Sequence, residues 1–97
     1  MVQRQTVSKM IALHLKSIGV KSIFGVPGGG SSLDLIDAAE SVGIKFYLVK
    51  REDAAVIMAC VYGELTKSIG VALVTKGPGL SNAMNGIAYS ALDRAPL

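Results

Sequence analysis

Residues 22–41 read SIFGVPGGGSSLDLIDAAES, in which a short apolar run, a glycine-rich turn and an amphipathic segment follow one another. The run Ser22–Val26 contains β-branched and aromatic residues, which predicts a strand that ends at the turn. Ser31 or Ser32 then predicts the cap of a helix over Leu33–Ser41. The stretch is one strand–turn–helix unit, the building block of a parallel α/β sheet.

The same cycle recurs on both sides of this stretch. Before it, we predict a first helix that is capped by Thr6 or Ser8 and ends at Gly19. After it, we predict a strand over Ile44–Val49 and a third helix from Lys50 to about Lys67. A further strand over Gly70–Thr75 and a fourth helix from Ser81 or Asn82 to about Asp93 follow. Short apolar strands that alternate with helices predict an α/β fold, a parallel sheet with helices on both faces.

The third predicted helix is apolar almost all round over Ala54–Val61. A helix of this kind must be covered on two sides. We expect the sheet to cover one side, and another domain or subunit to cover the other.

Composition excludes several classes of protein. The chain has 97 residues and a net charge of +3, with basic residues scattered from Arg4 to Arg94. Scattered charge is typical of solvated helix faces, so we expect no nucleic-acid partner. Cys60 is the single cysteine, which excludes an intramolecular disulfide and a cysteine metal pair, and we expect a core residue there. No apolar run approaches the roughly 20 residues of a membrane span, so we expect a cytoplasmic chain without a signal peptide.

Three loops follow the three predicted strands: Gly25–Ser31, Lys50–Asp53 and Lys76–Asn82. The carboxyl ends of parallel strands meet at one edge, where ligands bind in open α/β sheets, and helix starts add free N–H groups. Taken alone, each loop is ambiguous. A solvated acid at a helix start, which the helix dipole favours, is the commoner explanation of Glu52, and a tight turn explains the glycines as well as a phosphate cradle does. Ser31 occupies the position where a nucleotide-binding loop would carry lysine.

Five pieces of the chain change this interpretation because they occur together. They are FGVPG (24–28), LDLIDA (33–38), REDAA (51–55), GVALVTKGPG (70–79) and GIAYSALDRAPL (86–97). In order and spacing, Ile23–Leu97 resembles the N-terminal pyrimidine-binding domain of thiamine-diphosphate enzymes of the acetolactate synthase and 2-oxoacid decarboxylase superfamily. The resemblance implies that residues 1–97 are part of such a domain, with the thiamine-diphosphate-binding fold.

The resemblance also implies a site. In the family, a glutamate at the Glu52 position hydrogen-bonds a ring nitrogen of the cofactor's aminopyrimidine and favours the imino tautomer, whose nitrogen removes the thiazolium proton. Glu52 would therefore be the catalytic residue. The cofactor-binding residues implied by position are Pro27, Gly28, Glu52, Thr75, Gly77, Pro78, Gly79 and Asn82.

Other implications concern what the chain lacks. It contains nothing that resembles the family's magnesium- and diphosphate-binding segment, so no metal ligand is expected here. Mg²⁺ would be held by a diphosphate-binding domain of the same or a partner subunit, in a homo-oligomer. The implied reaction is C–C bond formation or decarboxylation on pyruvate or another 2-oxoacid, with this chain inactive alone. Arg51 and Lys76 depart from the family pattern and leave the substrate open. A non-catalytic regulatory module and a phosphate- or nucleotide-binding domain remain alternatives.

Overall fold

A computed structural model describes residues 5–97, in which helices and strands alternate as the sequence predicts. Their bounds are α1 Val7–Ser17, β1 Ser22–Val26, α2 Ser31–Ser41, β2 Lys45–Leu48, α3 Glu52–Thr66, β3 Ala72–Val74 and α4 Pro78–Leu92. Arg4, one of the scattered basic residues, lies outside the described part. Within residues 5–97, no helix combines the length and apolar character needed to cross a membrane.

The three strands form one parallel sheet in the order β2-β1-β3. Alternate residues of β1 point to opposite faces, as the pleat requires. Ile23 belongs to the core that includes residues of α1 and α2. Phe24 packs edge-on against Tyr62 of α3, with ring centroids 5.6 Å apart. Helices therefore cover both faces of the sheet, and the predicted α/β fold is confirmed.

The layer formed by α1 and α2 has a core of aliphatic side chains. Its buried members are Ala12, Val20, Ile23, Ala39, Val42, Ile44 and Leu73. Ile23 and Ile44 are among the largest side chains that are fully buried. This layer has the usual form of branched residues packed between a sheet and helices.

The layer formed by α3 and α4 has small residues at its contact. The buried residues of the two helices are Ala55, Val56, Ala59, Cys60, Gly63, Gly79, Ala83, Gly86 and Ser90. A methyl group added at Gly86 would lie 2.7 Å from the carbonyl oxygen of Asp53 and 2.9 Å from Cβ of Val56. The backbones of α3 and α4 therefore approach closely at this point.

The outer side of α3 is apolar and open. Met58, Val61 and Leu65 are exposed, and Leu65 retains 80% of its accessible surface. Within the described chain, α4 provides the second cover that the sequence requires for α3. The expectation that another domain or subunit completes this cover stays a prediction.

Three helix starts differ from the prediction, and one of them is that of α3, which begins at Glu52 rather than at Lys50. Gly30, with φ of +56°, precedes α2, so the predicted serine cap at Ser31 or Ser32 is wrong. Gly77, with φ of +73°, precedes α4, which begins at Pro78 rather than at Ser81 or Asn82. A glycine can adopt this backbone conformation without strain, and proline at the first helical position loses no hydrogen bond. The cap at Thr6 is confirmed, because its hydroxyl accepts from the amide of Lys9 at 3.1 Å.

Candidate functional site

The carboxyl ends of the three strands lie level with one another. Gly25 pairs with Leu48, and Val26 pairs with Val74. The amide of Val49 donates to the carbonyl of Gly25 at 3.0 Å. The loops that follow the strands consequently leave the sheet side by side, with the loop after β1 in the middle. The structure thus brings the three predicted loops to one edge.

The first and third loops meet at Thr75, which directly follows β3. A methyl group added at Gly28 would lie 2.6 Å from Cβ of Thr75, and one added at Gly79 would lie 2.8 Å from its Cγ2. Real Cβ atoms do not approach other atoms this closely, so neither position has space for a side chain. Two predicted site residues, Gly28 and Gly79, therefore both contact a third, Thr75.

The second loop presents acidic residues at the start of α3. Arg51 precedes the helix, and its guanidinium donates to both carboxylate oxygens of Asp53, at 3.1 and 2.9 Å. Asp53 also accepts from the amide of Ala54 at 2.9 Å. This pair leaves the neighbouring Glu52 as the second acid of the first helical turn, where the helix dipole favours negative charge.

Glu52 is half-buried and faces a groove of about 320 Å³ that it shares with Asn82 of α4. Lys50, Arg51 and Asp53 complete the lining of this groove, here called the Glu52 groove, in which two basic and two acidic side chains meet. The carboxylate and the amide come from helices that start at different strands, and the close α3–α4 contact brings them together. Asn82 itself is exposed, and so is its neighbour Ser81.

A second groove, of about 730 Å³, lies between the two glycine loops and is here called the glycine groove. Its lining residues are Gly29, Gly30, Ser31, Ser32, Val74, Thr75, Lys76 and Leu80. A methyl group added at Gly29, Gly30 or Gly77 would meet no atom within 4 Å. These glycines border open space, whereas Gly28 and Gly79 are packed.

The predicted residues thus fall into two groups. Glu52 and Asn82 share the Glu52 groove, while Gly28 and Gly79 contact Thr75, which lines the glycine groove. Two prolines belong to neither lining: Pro27 is half-buried after β1, and Pro78 is exposed at the first position of α4. Gly77 is exposed at the helix cap.

Sequence reasoning missed several residues of the two linings, namely Lys50, Ser32 and Leu80. Lys50 and Leu80 lie within predicted loops without having been singled out as site residues, and Ser32 directly follows the first predicted loop. Lys76 was singled out only as a departure from the family pattern, yet it is the charged residue of the glycine groove.

Cys60 lies away from this edge, inside the α3–α4 layer. It is fully buried, as expected for a core residue, and its Sγ lies 3.4 Å from a carboxylate oxygen of Glu64. Burial raises the pKa of the Cys60 thiol above its ordinary value of 9.0, and the nearby Glu64 charge adds to the rise although a hydrogen bond with Ser90 opposes it. Tyr89 also has a raised pKa, caused first by the charge of Asp93.

Comparison with known proteins identifies the family. Residues 5–97 match the family described as thiamine pyrophosphate enzyme, N-terminal TPP binding domain, TPP being thiamine diphosphate. The chain is 46% identical over 91 residues to the acetolactate synthase isozyme 3 large subunit of Escherichia coli (strain K12). The aligned residues cover 93% of this chain and 16% of that protein. It is 42% identical over 91 residues to the acetolactate synthase large subunit of Lactococcus lactis subsp. lactis (strain IL1403), with the same coverage.

A third relative, the acetolactate synthase of Arthrospira platensis, is 41% identical over 100 residues, which cover 99% of this chain and 17% of that protein. The chain thus spans only 16% to 17% of the length of these relatives. The family match, in contrast, extends over all the residues that the structure describes. This chain therefore belongs to the thiamine pyrophosphate enzymes and corresponds to their N-terminal TPP binding domain.

Proposed function

We propose that this chain supplies the aminopyrimidine-binding side of a thiamine diphosphate site in an acetolactate synthase-like enzyme that acts on pyruvate or another 2-oxoacid. The observation that carries the proposal is the placement of Glu52. It is half-buried at the start of α3, faces a groove with Asn82, and stands beside an Arg51–Asp53 pair that is satisfied within the same turn.

The residues at the edge fit an aminopyrimidine ring. Such a ring is flat and carries nitrogen atoms that donate or accept hydrogen bonds at its rim. The Glu52 groove offers the carboxylate of Glu52, which is not paired with Arg51, and the amide of Asn82, and these two groups can serve both kinds of ring atom. The two grooves, of about 320 and 730 Å³, are within the size range of small-molecule sites.

In this proposal, Glu52 holds a proton at a carboxylate oxygen for a ring nitrogen, and Asn82 orients the ring from the opposite side of the Glu52 groove. Thr75 lines the neighbouring glycine groove, and the residues that line neither groove would flank the bound cofactor, namely Pro27, Gly28, Gly77, Pro78 and Gly79. Open space at Gly77 lets a ring lie against the backbone. The bound cofactor supplies the carbanion chemistry, and the protein supplies position and electrostatics.

The same proposal includes partners. A diphosphate-binding domain, from the same or another subunit of a homo-oligomer, would hold Mg²⁺ and the diphosphate in a cytoplasmic enzyme. The exposed apolar side chains of α3, Met58, Val61 and Leu65, support a covering surface because such residues cost free energy when they face water.

The test is Glu52→Gln in the full-length protein that carries this sequence. Removing the exchangeable carboxylate proton is expected to lower turnover of pyruvate by about 10²–10⁴-fold, the range for general acid–base groups, while the melting temperature stays near that of the unchanged protein. Glu40→Gln, on the exposed surface of α2, is the matched control and should leave turnover unchanged. Full turnover in Glu52→Gln would contradict the proposal.

Binding measurements separate the alternatives. Titration with thiamine diphosphate and Mg²⁺, and separately with ATP, distinguishes a thiamine site from a nucleotide site at the glycine groove. A protein that binds thiamine diphosphate but turns over no 2-oxoacid would be a non-catalytic module of the same fold.

A further inference from the structure

We infer that Thr75 is a positioning residue whose shape, rather than its hydroxyl group, holds the first and third loops at a fixed separation beside the proposed cofactor site. The inference rests on the proposed function for its binding readout only. The packing contacts involve Thr75, Gly28 and Gly79 alone.

The contact with the first loop involves the body of the threonine. Gly28 lies so close that an added methyl group would collide with Oγ1 of Thr75 and lie 2.6 Å from its Cβ. Gly28 has no positive φ, so an alanine there would meet no backbone strain. The demand for glycine at position 28 therefore comes from Thr75 and not from the turn.

The contact with the third loop involves the methyl group. An added methyl at Gly79 would lie 2.8 Å from Cγ2 of Thr75 but 3.5 Å from its Cβ. The carbonyl of Thr75 also accepts from the amide of Leu80 at 3.1 Å, which ties the start of α4 to the end of β3. A single residue therefore contacts one loop through Oγ1 and Cβ, and the other through Cγ2.

The hydroxyl group is not used as a hydrogen-bonding group by the described residues. Among residues 5–97, no hydrogen bond involves Thr75 Oγ1, and Thr75 is half-buried. A valine has nearly the same shape and lacks the hydroxyl. Thr75→Val therefore separates shape from hydrogen bonding, and Thr75→Ala removes both.

The first experiment measures the affinity of the full-length protein for thiamine diphosphate with Mg²⁺, by calorimetry well below the melting temperature. Thr75→Val should bind within about twofold of the unchanged protein. Thr75→Ala should bind about tenfold more weakly or worse, because the loops lose their fixed separation. Equal losses in both variants would overturn the inference and assign the hydroxyl to a direct contact with the cofactor.

The second experiment adds a methyl group at a glycine, removes one from the neighbouring Thr75, and measures the melting temperature. Gly79→Ala should lower it by at least about 4 °C through overpacking. Thr75→Ser removes Cγ2, so the double variant Gly79→Ala/Thr75→Ser should recover most of this loss. Thr75→Ser should not rescue Gly28→Ala, since the clash with Cβ remains. Gly29→Ala, which faces open space, is the matched control and should melt normally.

The two experiments fail in different ways. If the unchanged protein binds no thiamine diphosphate, the proposed function is wrong, and the melting temperatures alone decide the role of Thr75. If Gly79→Ala melts normally, or Thr75→Ser rescues both glycine variants equally, the packing argument is wrong. If Gly79→Ala does not fold, a cooperative transition that returns in the double variant supports the inference, and its absence overturns it.

Discussion

The two helical layers of this small domain pack against the sheet with different kinds of side chain. The α1–α2 layer fills its volume with branched aliphatic residues, of which Ile23 and Ile44 are fully buried. The α3–α4 layer brings two backbones together over small residues, so closely that Gly86 has no space for a methyl group. The proposed catalytic carboxylate, Glu52, stands on this second layer.

The difference implies opposite sensitivities. A layer packed with large side chains suffers when volume is removed, because a cavity remains. A layer with close backbone contact suffers when volume is added, because backbone atoms have no room to yield. Ile44→Ala and Gly86→Ala test this contrast directly.

The largest effect on stability is expected from Ile44→Ala in the α1–α2 layer. Truncating a fully buried isoleucine should lower the free energy of unfolding by about 2–5 kcal/mol. Urea denaturation measures the loss. Val7→Ala, on an exposed position of α1, is the control and should change stability by less than about 0.5 kcal/mol. A loss that small for Ile44→Ala would contradict the expectation that the α1–α2 layer is sensitive to the removal of volume.

The next effect is expected from Gly86→Ala in the α3–α4 layer. Adding one methyl group should lower the free energy of unfolding by about 1–3 kcal/mol, although alanine is the better helix former. Asn85→Ala, an exposed neighbour on α4, should instead be neutral or slightly stabilising by the same denaturation assay. If both alanines stabilise α4, the close approach to Asp53 and Val56 does not exist in solution.

A smaller, pH-dependent effect is expected from Cys60. Since the folded pKa of its thiol is raised, the unfolded chain releases the proton first as pH rises above 9.0. The contribution of Cys60 to the free energy of unfolding is therefore fully present below pH 9.0 and declines above it. Cys60→Ala should flatten this alkaline decline in urea denaturation, and Tyr89→Phe should remove the further part caused by Asp93. An unchanged slope in Cys60→Ala would show that water reaches the thiol.

The smallest effect is expected from Arg51→Ala. The Arg51 side chain is 77% exposed, so loss of its pair with Asp53 should cost less than about 1 kcal/mol of unfolding free energy. The difference should shrink further at high salt, which screens exposed charges. Arg51→Lys is the control, because lysine keeps the positive charge but cannot form the bidentate pair that arginine makes with Asp53. A loss above 2 kcal/mol, on the order of a buried pair, would contradict this interpretation.

The fold was largely predictable from the sequence because each strand is a short apolar run that ends at glycine or charged residues. The starts of α2 and α4 were not. Gly30 and Gly77 begin these helices through a positive φ, without a capping side chain, whereas sequence rules look for serine, threonine, aspartate or asparagine. The chain offers serines nearby, at positions 31, 32 and 81, and these misplace the boundaries.

The site was predictable only at the level of loops. Parallel strands place their following loops at one edge, which brings together the regions around Gly28, Glu52 and Thr75. The finer grouping depends on tertiary contacts. Asn82 lies across from Glu52 because α3 and α4 approach closely at Gly86, and no local pattern in the sequence encodes that distance.

The level ends of the three strands have a consequence for thermodynamic linkage. Each loop of the edge belongs to a different strand–helix unit, so neither groove exists in any isolated segment of the chain. A molecule that binds there has affinity for the native state alone, and at a hundredfold excess over its Kd it would stabilise that state by about 2.7 kcal/mol. A ligand bound at this edge would therefore stabilise the whole domain against unfolding. Saturating ligand would slow amide hydrogen exchange in the central strand β1 as well as in the loops.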